Sequence, residues 1–220
     1  MQKKRLTKSH AGRKVDAQIG IQFLTIIILC GLCDLCGEFL WVFLLKAEVY
    51  MNMQIAITGR GGQGVLFLTR ILSECALEMG LEVIASETHG MAMRGGSVIS
   101  TLKVGSFRGP LIGSGQAGVM LVLDPGSYET FSNLLSPRGI AFLNAASSAA
   151  HPHIDATNLA TKMDSPLMAN LVLLGFALGH ARLFCTYSQV EEITGKISPS
   201  RFREANLQAL KLGYSASKTT

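Results

Sequence analysis

Glu87, His89 and Arg94 bring three ionisable side chains of different chemistry into one short segment, loosened by Gly90, Ala92, Gly95 and Gly96. A guanidinium can clamp a carboxylate or phosphate through two parallel N–H bonds. An imidazole exchanges protons near neutrality. Glu87 and Arg94 can equally pair with each other and only stiffen the segment. Met91 and Met93 are suited to packing flexibly against a partner surface. Upstream lies a second group, Gly59-Arg60-Gly61-Gly62-Gln63-Gly64. Gly59, Gly61 and Gly64 fit G-x-G-x-x-G, the spacing at which a loop and a helix N-terminus offer backbone N–H groups to a phosphate. Glu87 then stands where a ribose-binding acid is expected. The spacing alone is a weak signal. A tight strand–helix turn that binds nothing stays open as the alternative.

The elements that must position these groups follow from periodicity. Gln54–Thr58 reads as a buried strand. Gly62 to Met79 reads as a helix, with Val65, Leu68, Leu72, Cys75, Ala76 and Met79 near the 3.6 period and Gly80 closing it. Glu82–Ser86 is a second strand, 87–96 a loop, and Ser97–Val104 a third strand. Gly118–Leu123 is another buried strand, ended by Asp124-Pro125-Gly126. A short helix follows over Tyr128–Leu135. Ser136-Pro137-Arg138-Gly139 is expected to turn the chain into a strand at Ile140–Asn144, and a short helix lies near Thr157–Met163. Ser165-Pro166 starts a helix whose apolar run, Leu167 to Leu178, should be buried all round. Ser188-x-x-Glu191 reads as a capping box, and Ser198-Pro199 opens a last helix through about Leu212 with Gly213 after it. Alternating strands and helices predict an α/β fold: an open, mainly parallel, Rossmann-like sheet with helices on both faces. Right-handed crossovers put the loops after the first two strands on one edge. Asn170, a lone amide in an apolar helix, must find partners, because burying it bare costs about 1–3 kcal/mol. It is expected to tie its helix to one of the loops.

Residues 1–50 and 51–220 read as different material, an appended hydrophobic extension and the α/β domain. The first part holds seven basic and four acidic groups, the second thirteen and eleven, so the basic balance comes largely from the tail. The domain has no basic stripe with interleaved aromatics, which argues against nucleic-acid binding. Five cysteines without regular spacing in the domain point to a reducing cytoplasm rather than a disulfide scaffold. Gly20 to Leu45 is long enough to span a bilayer. Asp34 and Glu38, four apart on one helical face, weaken that reading, and no convincing signal cleavage site follows. A natural start at Met51 or Met53 is the preferred account, with a membrane anchor through residues 20–45 as the second. Cys30, Cys33 and Cys36 imitate an iron–sulfur run but lack a fourth ligand.

The two loops together carry a resemblance. Gly59 through Val65, with Ser86-Glu87-Thr88-His89-Gly90-Met91-Ala92-Met93-Arg94-Gly95-Gly96-Ser97-Val98, resembles the gamma subunit or domain of 2-oxoacid:ferredoxin oxidoreductases. The T-H-G-M-A-x-R-G-G-S form looks closest to the indolepyruvate branch, where this part is a separate small beta subunit. Looser matches are Pro110-Leu111-Ile112, Asn170 with Leu174-Gly175, and Phe202 through Asn206, Ala209 and Gly213. The resemblance covers about 53–214.

What the resemblance implies is oxidative decarboxylation of a 2-oxoacid, arylpyruvate or pyruvate, to an acyl-CoA, with electrons passed to ferredoxin. This chain carries neither a Gly-Asp-Gly with a downstream Asn for a diphosphate–Mg group nor a complete four-cysteine run. Thiamine diphosphate, Mg and 4Fe–4S clusters are therefore expected on a catalytic alpha-type partner subunit, with CoA as co-substrate. No catalytic residue and no metal ligand is expected here. The expected roles are cofactor positioning by Gly59, Gly61, Gly62, Gln63 and Gly64, and substrate or partner contact by Glu87, His89, Arg94, Gly95, Gly96 and Asn170. Two other readings stay open at this point: a self-sufficient NAD(P)-binding dehydrogenase or nucleotide-binding module, and a purely structural interaction domain.

Overall fold

The computed structural model describes residues 52–89 and 96–218, with the side chain of His89 outside the description. The N-terminal extension, Arg94 and Gly95 therefore lie outside the described residues. Six strands form one sheet in the order β2-β3-β1-β4-β5-β6. They are β1 (Met53–Arg60), β2 (Val83–His89), β3 (Ser97–Val104), β4 (Ala117–Val122), β5 (Leu135–Asn144) and β6 (His153–Ile154). β1, β4, β5 and β6 pair in parallel, and β3 lies antiparallel between β1 and β2. The helices are α1 (Val65–Glu78), α2 (Pro125–Phe131), α3 (Ala156–Lys162), α4 (Ala169–Gly179), α5 (Tyr187–Ile197) and α6 (Ser200–Ala216).

Strand alternation sorts the core into two faces. Ile55, Ile57, Val119, Leu121 and Phe142 pack against α1, α4, α5 and α6. Ala56, Met120, Val122, Ala141 and Leu143 face the other way, where Tyr128 and Phe131 of α2 cover them. Helices thus lie on both faces, unequally. The buried stripe of α1 holds Val65, Leu68, Leu72, Cys75 and Ala76 of the predicted set, joined by Thr69 and Ile71, whereas Met79 is the residue after the helix and is exposed. Each fully buried Leu or Ile there contributes on the order of 1.5–3 kcal/mol. Among the described residues no helix is long and apolar enough to cross a membrane.

Several local expectations are corrected. β2 runs on to His89, so Glu87 and His89 sit in a strand paired with Ser100 and Val98 of β3 rather than in a free loop. The predicted turn at Ser136–Gly139 lies inside β5: Leu135 pairs with Ala117 and Ile140 with Val119, so a bulge absorbs the extra residues. The capping box belongs to Thr186 and Gln189, not Ser188 and Glu191. Glu191 instead accepts a 2.8 Å bond from the Tyr187 hydroxyl. Leu167 is 72% exposed, because a 3-10 turn over Pro166–Met168 precedes α4 and leaves that residue outside the buried helix. Gly213 is inside α6 rather than beyond it.

His180 ends α4 with its ring against Phe142 and Phe176, at centroid distances of 5.3 and 4.7 Å. Its Nε2 is buried without a partner among the described residues, and burial holds its pKa below the ordinary 6.5. The unfolded chain then binds the proton more readily than the fold does. Stability is retained above pH 6.5 and is lost as pH falls through 6.5 towards the folded value. His180→Phe keeps the ring contacts and removes the titration. The drop in Tm between pH 7.5 and 5.5 is expected to be smaller in this variant than in the parent chain. Equal drops would remove His180 as a source of acid sensitivity.

Candidate functional site

β1 is followed on one side by α1 and β2 and is flanked on the other by β4, so the strand order reverses direction between β1 and β4. Ligand crevices of open α/β sheets form at such a point, beyond the carboxyl ends of the strands. The first glycine loop lies there. Gly62 and Gly64 have φ of +93° and +81°, a region that side chains with a Cβ enter at a cost. The turn is closed by Gln63 N–H donating to the Arg60 carbonyl at 3.1 Å and by Arg60 N–H donating to Gln63 Oε1 at 2.7 Å. α1 starts directly after Gly64 with no side chain capping it.

The second loop meets the first. Gly61 N–H donates to the Gly96 carbonyl at 3.2 Å, immediately before β3. β1 and β2 also end on the same edge, since Arg60 pairs with Ser97 and His89 with Val98. Gly96 is thus brought onto the first loop, and Glu87 is on the adjoining strand. The intervening β3 sets Glu87 two strand spacings from β1, about 10 Å. In a dinucleotide fold the acid-bearing strand is β1's direct neighbour.

Asn170 is 4% exposed. Its Nδ2 donates to the Gly64 carbonyl at 3.4 Å and its Oδ1 accepts from Leu171 N–H at 2.8 Å. The expected tie between the buried helix and a loop is therefore present, and it holds the first loop. The contact is close enough that a Cβ on Gly64 would collide with the Asn170 amide nitrogen.

Four further residues assemble the edge that sequence reasoning had not assigned to it. Arg60 Nε lies 3.0 Å from Asp124 Oδ1, and Asp124 also caps α2 by accepting from Ser127 N–H at 3.2 Å. The Arg60 side chain is largely exposed, so this pair orients the loop more than it stabilises the fold. Asn144 donates to the Leu123 carbonyl at 3.0 Å and to Thr157 Oγ1 at 2.9 Å, joining β4, β5 and α3. Asp124-Pro125-Gly126, expected only to end a strand, instead opens α2, with Asp124 as its cap and Pro125 in its first turn. Arg60, Asn144 and Thr157 gave no local signal, because their partners are distant along the chain. A cavity of about 130 Å³ lies between Gly62 and Gln63 on one side and Asn144, Thr157, Pro166 and Asn170 on the other. Beside it, sharing Leu167 and Asn170, is a groove of about 210 Å³ bordered by Phe67 and Phe202. Leu167 and Phe202 are exposed there.

The donors of the described residues do not fit an iron–sulfur cluster. Among the described residues no group of three His, Cys, Asp or Glu side chains converges on a metal position. Cys75 and Cys185 are buried, and the hydrogen bond with Cys75, reinforced by burial, pushes the Cys185 thiol well above its ordinary range. Nor do they fit a Mg–diphosphate group, since Asp124, the carboxylate tied to the first loop, is committed to Arg60 and the start of α2.

The family model described as pyruvate ferredoxin/flavodoxin oxidoreductase matches residues 54–216. The indolepyruvate oxidoreductase subunit IorB of Archaeoglobus fulgidus is 33% identical over 190 residues, covering 74% of this chain and 94% of that protein. The pyruvate synthase subunit PorC of Methanothermobacter marburgensis is 29% identical over 177 residues, covering 76% and 98%. Among solved structures, the gamma subunit of a keto/oxoacid ferredoxin oxidoreductase from Geobacter sulfurreducens aligns with a TM-score of 0.63 at 20% identity. It covers 76% of this chain and 99% of that one, a likeness of fold.

Proposed function

Since the chain belongs to the pyruvate ferredoxin/flavodoxin oxidoreductase family, we propose that it is an accessory subunit of a 2-oxoacid:ferredoxin oxidoreductase. Its glycine-loop edge closes over the active site of a catalytic partner in the cytoplasm. In this reading the partner carries thiamine diphosphate, Mg and 4Fe–4S clusters, CoA takes the acyl group and ferredoxin the electrons. Thiamine diphosphate held by the partner would supply the electron sink that decarboxylation needs. The residues of this chain bind, orient and exclude water. Gly61 and Gly96 hold the two loops together, Asn170 anchors the first loop to the core, and the guanidinium of Arg94 is assigned the pairing with the anionic group of substrate or co-substrate. An arylpyruvate is the proposed 2-oxoacid, on the form of the second loop and on the name borne by the 33% identical relative.

One observation supports the reading: the cavity at the glycine-loop edge is small and has exposed apolar side chains beside it. The cavity of about 130 Å³ is well below the roughly 300–1,000 Å³ of pockets that enclose a small-molecule ligand. Exposed Leu167 borders it and exposed Phe202 borders the adjoining groove, as at a surface awaiting a partner. The separation of Glu87 from β1 by β3 disfavours a self-sufficient dinucleotide site.

Co-expression with a catalytic subunit and reconstitution test this. The complex is expected to oxidise indolepyruvate or phenylpyruvate in preference to pyruvate, and the isolated chain to be inactive. Arg94→Ala is expected to lower kcat/KM roughly 10–100-fold, the loss of about 1.5–3 kcal/mol typical of a hydrogen bond to a charged group, with assembly and folding intact. Turnover by the chain alone would refute the accessory role. Tight NAD(H) binding abolished by Glu87→Lys would establish the dehydrogenase reading instead.

A further inference from the structure

The opposite edge of the sheet, about 20 Å from the glycine loops along β1, holds an open cleft of about 280 Å³. Asn52 and Gln54 at the start of β1, Gln116 before β4, Arg138 in the β5 bulge and Arg182 beyond α4 line it. The charged groups lining it are both cationic. Among the described residues no Asp or Glu lines the cleft and neither arginine joins an ion pair. Two backbone irregularities place them. The bulge between Leu135 and Ile140 carries Arg138, and Ala181, a non-glycine residue at φ +50°, precedes Arg182. A side chain with a Cβ in that region is held there at a cost, a feature found at binding sites.

The amides add the second half of the argument. Asn52 Oδ1 accepts from Ser106 N–H at 3.0 Å and Gln116 Oε1 from Gly113 N–H at 3.3 Å. Each has its oxygen occupied and its NH2 to offer. Gln54 is the reverse: its Oε1 is buried with no donor among the described residues. A buried acceptor left bare calls for an explanation. Two exposed guanidiniums on one cleft with no lining carboxylate favour an anion, and the bare acceptor favours a group that donates. One molecule satisfies both if it is an oxyanion that carries its own hydroxyl. We infer that this cleft binds a small phosphate-type oxyanion bearing a hydroxyl, clamped by Arg138 and Arg182 and selected by Gln54. Hydrogen phosphate and hydroxyl-bearing phosphate esters have this chemistry, whereas sulfate at neutral pH has the charge without the proton.

The test is calorimetric titration of the full chain with inorganic phosphate, glycerol 3-phosphate and sulfate at pH 7, with ionic strength held constant by NaCl. Saturable binding of phosphate or its ester is expected, with sulfate at least roughly tenfold weaker for want of one hydrogen bond. Tighter binding of glycerol 3-phosphate would mark an ester site, and tighter binding of inorganic phosphate a free-anion site. Arg138→Gln and Arg182→Gln are each expected to weaken phosphate roughly 10–100-fold. Gln54→Leu should abolish the preference over sulfate, with folding checked by thermal melts. Should that variant not fold, the phosphate-to-sulfate ratio of the parent chain decides, and a ratio near one refutes selection by Gln54. Unchanged phosphate affinity in both arginine variants, or heats that never saturate, would overturn the site.

Discussion

Gly213→Ala is expected to destabilise the domain by about 3 kcal/mol or more, at or above the upper end of ordinary overpacking costs. Gly195→Ala, the same change one helix earlier, is expected to stabilise it by roughly 0.5–1 kcal/mol. A Cβ on Gly213 of α6 would run into the carbonyl oxygen of Val172 in α4, and one on Gly175 of α4 into the carbonyl oxygen of Leu210 in α6. The two helices therefore meet backbone to backbone at two points. Neither obstacle is a side chain that can swing aside, so the helices must separate and forfeit packing along the buried face of α4. Gly195, inside α5, has nothing within 4 Å of its built Cβ. Alanine there only restricts the unfolded chain and favours the helix. Urea titration checks the pair: midpoints should move in opposite directions at unchanged m-value. A shift of Gly213→Ala no larger than 1 kcal/mol would mean that the α4–α6 contact yields.

Those two helices also show what sequence can and cannot convey. The burial of α4 was legible because its composition is apolar all round, and Asn170 stood out as the lone amide requiring a partner. The glycine loop was legible for a related reason: the signals for a strand, a tight turn and a helix lie next to one another in the chain. The strand order was not. That β3 inserts antiparallel between β1 and β2 depends on two ladders, Met53–Arg60 against Ser97–Val104 and Val83–His89 against the same strand, and no local pattern encodes which edges pair. The consequence reached the site, because Glu87 looked like a β1 neighbour until β3 came between them.

Capping shows the same limit at short range. Two Ser/Thr-x-x-Glu/Gln patterns overlap at residues 186–191, and the local sequence does not rank them. The chain uses Thr186 with Gln189, and Glu191 turns instead to Tyr187. At longer range, Arg60 with Asp124 and Asn144 with Thr157 close the site edge through partners that meet only after the sheet has assembled. Arg138 and Arg182 are brought to their cleft in the same way.

Gly64→Ala is expected to lower kcat/KM of the reconstituted enzyme by about 100-fold, the order of loss that a 1 Å displacement of a positioning element produces. Gly62→Ala should cost far less. Both glycines have positive φ, so both alanines carry backbone strain of roughly 1–2 kcal/mol. They differ in surroundings: among the described residues a Cβ on Gly62 meets nothing within 4 Å, whereas one on Gly64 enters the Asn170 amide. Asn170 cannot retreat without releasing the Gly64 carbonyl, and its own oxygen is held by Leu171 N–H at 2.8 Å. The displacement therefore passes to the loop, which is joined through Gly61 to Gly96 and so to the segment carrying Arg94. Removing the obstacle should restore part of the loss. Gly64→Ala combined with Asn170→Ala is expected to be more active than Gly64→Ala alone, a coupling of at least about 1 kcal/mol between contacting residues. Equal activities for Gly62→Ala and Gly64→Ala would show that strain alone matters and that Asn170 does not position the loop. A double variant no better than the single would show that the loop is misplaced by its φ and not by the amide. Recovery in the double variant would identify Asn170 as the residue through which the buried helix sets the geometry of both loops.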